Sequence, residues 1–355
     1  MARSGLIYGD TGTFKTTAIA HLARYIAERT GKATLLFSAD GGGWGPCQEE
    51  IEAGMIRPYR CDTAVIPLPI LRKVSQGYWP ANPEQTDISQ VDFVPVNWAD
   101  VGGIAVEGVT SIGTMLMRHL ADKNLKTGEE ATSPFRMPIR VDGQVREETF
   151  AGNSRGHYGF AQNQLYGLIM NFGSLPVEYF LLTGHDKKAE DGDRQTVGGV
   201  AAPGKAISAL IPTWIGDCIH AQDYQVERTT NAPKLGGKQG ETEVVTTMDT
   251  VCRYYFKKHR DPATGIVYPA KPRVTHGAVG KLDALYPDGF FIPTPDHGFD
   301  DYLRALDKLA ADSAGSGSLK GWRERADAKL GRAKAPSNIK DVDTSNASMP
   351  IPVLK

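Results

Sequence analysis

Gly9-Asp10-Thr11-Gly12-Thr13-Phe14-Lys15-Thr16-Thr17 follows a short apolar run, Leu6-Ile7-Tyr8, and precedes a helix-like stretch from Ala18 to Arg29. Strand, glycine-bearing loop and helix in that order make a phosphate cradle. Successive backbone N–H groups turn inward on an anion, and the helix N-terminus adds its positive dipole end. Lys15 is placed to reach β- and γ-phosphates, and the Thr16 hydroxyl to hold Mg²⁺. The spacing is that of the P-loop, G-x-x-x-x-G-K-[ST], with Phe14 where the second glycine stands. Glycine there adopts a dihedral that side chains dislike, so either the Phe14 ring points outward or the loop is altered and binds nucleotide poorly. Gly9 through Thr17 is therefore the expected nucleotide-binding segment, with ATP and Mg²⁺ as its ligands.

Composition bounds the rest. A chain of 355 residues can bury a large core, and 40 basic residues against 41 acidic ones leave no global basic field. Any nucleic-acid contact must come from local patches. Cys47, Cys61, Cys218 and Cys252 are scattered without metal-ligand spacing, which suits free thiols in a reducing cytoplasm. The opening residues read as the first core strand, so no secretory leader is expected. No apolar run reaches the eighteen or so residues of a membrane span. The expected location is cytoplasmic, and no membrane partner is expected.

Strand-like and helix-like segments alternate through the first two thirds. Ala33–Phe37, a run within 55–65, Gly103–Val106 and Val177–Leu182 read as strands, and 67–78, 114–120 and 160–172 as helices. This alternation predicts an α/β fold, a mostly parallel twisted sheet with helices on both faces. Residues 122–155 read as a polar, irregular insertion. Later, 251–257 and 265–268 read as antiparallel strands joined at His259–Pro262, and 300–310 as a helix. The core is expected over 1–312, with a linker at 313–318, a mildly basic helix over 319–334 and a disordered tail over 335–355.

Hydrolysis needs a carboxylate near Mg²⁺ and a group that orients the attacking water. An open α/β sheet places its ligand at the carboxyl ends of its strands. Glu107 ends Ile104-Ala105-Val106 and is the candidate metal-side acid; Asp40 follows Leu35-Leu36-Phe37-Ser38-Ala39 and is the candidate general base. Leu181-Leu182-Thr183-Gly184-His185 brings a third polar group to a strand tip, and His185 is the candidate sensor of the γ-phosphate. The glycine-rich loop 187–205 carries Lys187, Lys188, Arg194 and Lys205 together with Glu190, Asp191 and Asp193. It reads either as a loop that orders on single-stranded DNA or as an ordinary solvated loop.

These landmarks resemble the RecA-like phage nucleotide-binding ATPases, relatives of the RecA/RadA recombinases that some phages use in single-strand annealing. The resemblance spans roughly 3–306. Phe37-Ser38-Ala39-Asp40 is similar to the strand that carries the family's catalytic acid, and Ile104 through Ser111 to its Walker B strand. Asp40 stands for the common glutamate and Glu107 for the common aspartate. His157-Tyr158-Gly159, Ala202-Pro203-Gly204-Lys205 and Ile215-Gly216-Asp217 also fit, and Ala270-Lys271-Pro272-Arg273 resembles the family's late basic motif. The resemblance implies a homo-oligomer in which Lys271 and Arg273 reach a neighbour's γ-phosphate, and an activity on single-stranded DNA. A nucleotide-binding assembly protein of a phage particle with little hydrolysis, and a motor on duplex DNA, stay open as alternatives.

Overall fold

The computed structural model describes residues 3–40, 43–61, 67–82, 91–127, 135–141, 144–150, 155–187, 198–203, 205–233, 242–262, 264–272, 274 and 276–314. Strands β1 (Arg3–Gly9), β2 (Ala33–Ser38) and β3 (Ile56–Arg60) are interleaved with helices α1 (Lys15–Thr30), α2 (Gln48–Glu52) and α3 (Pro67–Ser75). A small pair, β4 (Tyr78–Pro80) and β5 (Phe93–Pro95), precedes β6 (Val101–Glu107) and α4 (Val109–Thr127). Next come β7 (Phe135–Val141), β8 (Gln144–Phe150), α5 (Arg155–Ser174), β9 (Tyr179–His185) and α6 (Lys205–Trp214). The chain continues through β10 (Asp217–Pro233), β11 (Thr242–Tyr255), β12 (His259–Arg260), β13 (Val267–Tyr268), α7 (His276–Leu285), β14 (Phe290–Phe291) and α8 (Phe299–Ala314).

Eight strands form one sheet in the order β14-β11-β10-β1-β9-β6-β2-β3. The six from β10 to β3 run parallel, and β11 and β14 add antiparallel at one edge. Parallel strands covered on both faces should be apolar throughout. β2 and β6 are buried at every position, and β1 from Gly5 onward. Alternate residues feed two cores. Leu6, Tyr8, Phe37, Val106 and Leu182 pack with α3, α4, α5 and α6; Ile7, Leu36, Ala105 and Leu181 pack with α1, α7 and α8. Each fully buried Leu, Ile or Phe contributes about 1.5–3 kcal/mol relative to its exposed state.

Three expectations need correction. The stretch 122–155 is regular where it is described: α4 runs on to Thr127, and β7 and β8 pair as a hairpin. The residues read as one hairpin over 251–268 divide instead. Residues 251–255 belong to β11 and pair with β10, whereas Val267–Tyr268 pairs with His259–Arg260. Helix α8 continues through Ser313 to Ala314, into the expected linker. The basic helix and the tail lie outside the described residues. The chain divides into two compact units, Met1–Leu309 and Ala310–Lys355. The sheet lies in the first, and of the second only the end of α8 is described.

Candidate nucleotide site

The parallel register sets the chemistry at one edge. Gly9 lies beside His185 and Ala221, and Ser38 beside Glu107, so the carboxyl ends of β1, β9, β10, β2 and β6 converge. Gly9 admits this approach because a Cβ there would meet the Ala221 carbonyl oxygen at 2.0 Å. The chain then turns through Gly12, with φ of 87°, to Phe14, the N-cap of α1. Phe14 has φ 56° and ψ 23°, the left-handed conformation that the missing glycine would have adopted. It is the only non-glycine among the described residues with positive φ, and it is 41% exposed where it lines the cavity described below.

What holds this conformation lies beneath the loop. Thr13 is buried, its hydroxyl donates to the Asp10 carbonyl at 2.7 Å, and its own carbonyl accepts from the Tyr254 hydroxyl at 3.1 Å. The Cys252 thiol donates to that same carbonyl at 3.6 Å. Antiparallel β11 thus supports the turn from below. The Lys15 ammonium caps it from within, donating to the Gly9 carbonyl at 3.0 Å, the Thr13 hydroxyl at 3.2 Å and the Asp10 carbonyl. Burial lowers the Lys15 pKa, and the nearby Asp40 and Asp10 carboxylates oppose that shift.

Thr11 through Thr17 line a cavity of about 610 Å³ together with Asp40, Gly43, Pro46, Glu107, Ser111, Thr183 and His185. Glu107 is buried at the end of β6. The Thr16 hydroxyl donates to its Oε1 at 2.5 Å and the Ser38 hydroxyl to its Oε2 at 2.7 Å. Burial pushes the Glu107 carboxyl above its ordinary pKa, while these two hydrogen bonds pull it back. Asp40 is more open. The Ser111 hydroxyl donates to its Oδ1, and the His185 Nε2 lies 4.0 Å from its Oδ2. Gly108, at φ 84°, packs against Asp40; a Cβ there would lie 2.5 Å from Asp40 Oδ1.

Thr110 joins this cluster to the chain beyond β9. Its hydroxyl accepts from the His185 N–H at 2.9 Å and donates to the Ala201 carbonyl at 2.7 Å. Ser38, Thr110 and Ser111 escaped the sequence reading, although each stands within four residues of a candidate acid. A hydroxyl beside a strand-end carboxylate was the available signal.

The structure thus brings Thr11 through Thr17, Asp40, Glu107 and His185 to one cavity. Gly9 and Asp10 act from behind it through their carbonyls on Lys15. Lys271 is not brought there. It is exposed and bridges Cys218, which lies opposite Leu6, three positions below Gly9 in register and so about 10 Å from the strand tips. Arg273 lies outside the described residues. Asp217, part of a resembling motif, is buried in an ion pair with Arg3 at 2.8 Å and has a structural role.

Oxygen donors alone, one hydroxyl and one buried carboxylate, suit a hard divalent cation such as Mg²⁺. Among the described residues that line the cavity, Lys15 is the only lysine or arginine, set against the carboxylates of Asp40 and Glu107. No family model matches the chain, and no curated protein matches it. Among solved structures it is similar to the KaiC-like protein PH0186 from the hyperthermophilic archaeon Pyrococcus horikoshii OT3. The identity is 13% over 75% of this chain and 89% of that one, with a TM-score of 0.31, too loose a likeness to carry an argument. None of the described helices is long and apolar enough to cross a membrane.

Proposed function

We propose that the chain is a RecA-like ATPase that binds ATP with Mg²⁺ and acts on single-stranded DNA in phage recombination or replication. The observation that carries the reading is the convergence of Lys15, Thr16, Glu107, Asp40 and His185 on one cavity at the carboxyl edge of a mostly parallel sheet. Lys15 leaves the loop to bind the β- and γ-phosphates, exchanging the neutral Gly9 carbonyl, Asp10 carbonyl and Thr13 hydroxyl acceptors for anionic ones. Thr16 and Glu107 would hold Mg²⁺, which would supply charge neutralisation along the triphosphate. Asp40, aimed by Ser111, accepts a proton from water as its oxygen attacks the γ-phosphorus. The bond from that phosphorus to the β-bridging oxygen breaks, giving ADP and phosphate. His185, within reach of Asp40, donates a hydrogen bond to a γ-phosphate oxygen and loses it on hydrolysis.

A second cavity supports the single-strand reading. It measures about 370 Å³, is lined by Arg118, Tyr158 and Pro203, and shares Thr110 with the nucleotide cluster. Tyr158 is 39% exposed and Phe160 44%, at the start of α5. An exposed ring such as Tyr158, lining the same cavity as the Arg118 guanidinium, offers a stacking surface for an unpaired base, worth about 1–3 kcal/mol per base. Lys15 being the one cation among the described lining residues, we further propose a homo-oligomer in which Lys271 and Arg273 act on a neighbour's phosphates.

The test is steady-state ATP turnover by the parent and Lys15→Ala proteins, alone and with single-stranded or duplex DNA. Parent turnover stimulated by single strands, and at least a hundredfold loss in the variant, are expected. Equal rates in the two proteins refute the site. Stimulation by duplex alone favours the motor reading, and tight ATP binding without turnover favours an assembly role.

A further inference from the structure

His220 and His259 face each other through their ring nitrogens, with His220 Nδ1 3.1 Å from His259 Nε2. They come from different elements. His220 lies on β10, one residue before the Ala221 that flanks Gly9, and His259 opens β12. His220 is 1% exposed and His259 half-buried, so the pair meets solvent on the His259 side. Neighbouring rings hold both in place. Tyr268 stacks on His220 with centroids 3.8 Å apart, and Tyr255 stacks on His259 at the same separation.

The other partners of each ring fix where its proton sits. His220 Nε2 lies 3.1 Å from Asp186 Oδ2, so Nε2 carries the proton and Nδ1 presents a lone pair. His259 Nδ1 faces the Lys257 carbonyl at 3.4 Å, and its Nε2 faces Gln222 Oε1 at 3.4 Å. Both are acceptors, and a neutral imidazole has one proton to offer. With that proton on Nδ1, three lone pairs converge: His220 Nδ1, His259 Nε2 and Gln222 Oε1. They repel unless a cation lies among them. A shared proton serves the two nitrogens but leaves Gln222 Oε1 beyond good hydrogen-bond range. A metal ion serves all three.

Two imidazoles and an oxygen suit a borderline transition ion better than Mg²⁺. Ligands at zinc's bond lengths in a tetrahedron stand about 3.3–3.4 Å apart. The two separations from His259 Nε2 are 3.1 and 3.4 Å. Asp186, behind His220, is the outer carboxylate that orients a ligating histidine and raises its basicity.

We propose that His220, His259 and Gln222 bind one Zn²⁺ ion, with Asp186 orienting His220 and water filling the fourth position. The ion joins β10 to the segment that follows β11. It also lies behind the phosphate loop, because the Asp186 N–H donates to the Gly9 carbonyl at 3.1 Å. A different cluster, His297, Asp300 and Asp301, also brings three ligand atoms within 4.8 Å of one another. There Asp300 is already paired with Arg304 at 2.8 Å, and the cluster serves as the control. The proposal does not rest on the nucleotide reading.

Equilibrium dialysis of the chelator-treated full chain against Zn²⁺, without nucleotide and at neutral pH, tests the site. Imidazole ¹⁵N shifts report which nitrogens bind. The parent is expected to take up one Zn²⁺ per chain, to shift at His220 Nδ1 and His259 Nε2, and to melt at a higher temperature with Zn²⁺ than without. His259→Phe keeps a ring against Tyr255 and weakens uptake at least about tenfold. Asp186→Asn keeps all three ligands and weakens it about 10–100-fold. His297→Gln binds as the parent does. Metal-free melting temperatures equal to the parent's show that the variants fold. A folded parent that takes up no Zn²⁺, the result if the rings merely share a proton, overturns the proposal. So do undiminished uptake in His259→Phe and loss of uptake in His297→Gln. A parent that binds Zn²⁺ but no ATP refutes the nucleotide reading and leaves this one standing.

Discussion

Replacing Phe14 with alanine and, separately, with glycine isolates the backbone conformation on which the phosphate cradle depends. Both substitutions delete the same half-exposed ring, so the lost contacts cancel between them. They differ only by a Cβ on a residue held at φ 56° and ψ 23°. In that left-handed region a Cβ costs about 1–2 kcal/mol. Glycine brings the opposing penalty of a more flexible unfolded chain, about 0.5–1 kcal/mol. The glycine protein should therefore be more stable than the alanine protein by about 0.5–1 kcal/mol. At ordinary helical positions the order is reversed, with alanine favoured by a similar amount. Urea unfolding of the two variants side by side, at equal slope, measures the difference directly. The glycine variant is also expected to bind ATP at least as tightly as the parent. An alanine variant equal to or more stable than the glycine one would refute the left-handed turn and with it the cradle.

Ser111→Ala removes the hydroxyl that aims Asp40 while leaving both acids in place. Turnover should fall about tenfold with little change in KM, measured by steady-state kinetics, and Ser111→Thr should recover part of the loss. Partial burial, with His220 beside it, lowers the His259 imidazole pKa to about 4 from an ordinary 6.5. Below pH 6.5 the unfolded chain takes up a proton that the folded chain refuses, so stability falls as pH drops from 6.5 to about 4 and then levels off. After allowance for its partial exposure the loss is about 2 kcal/mol, and pH-dependent urea midpoints should show that component missing in His259→Gln.

The legible parts of the chain are those whose environment is uniform. β2 and β6 are buried at every position, so they stand in the sequence as continuous apolar runs ending in polar residues. The P-loop spacing is local for the same reason: strand, turn and helix are adjacent, and backbone geometry alone dictates the residue types. The paired length of β10 and β11 beyond Ala221 is the opposite case. Exposed Asp223, Gln225, Glu227 and Thr229 alternate with half-buried Tyr224 and Val226, so the sequence there lacks the continuous apolar run of a strand covered on both faces. The hairpin of β7 and β8 was equally hidden, since Arg136, Arg140, Arg146, Glu147 and Glu148 imitate a solvated loop. The position of Lys271 depends on a bridge to Cys218, 53 residues away, which no local pattern reports.

The placement of Asp40 and Glu107 depends on the same non-local geometry. Glu107 terminates β6, level with Ser38 at the end of β2. Its extra methylene lets one carboxylate span two hydroxyls, Thr16 on the loop and Ser38 on the neighbouring strand. Asp40 has the shorter arm but stands two residues beyond Ser38, where the chain has already left the sheet. The backbone supplies the reach that the side chain lacks, and Gly108 leaves the space that Asp40 occupies. Neither acid is interchangeable with its counterpart. Shortening Glu107 breaks its link to Thr16 or to Ser38, and lengthening Asp40 drives its carboxylate against Gly108 or away from Ser111. The site therefore depends on the pair, because each acid is matched to the point at which its own strand delivers it.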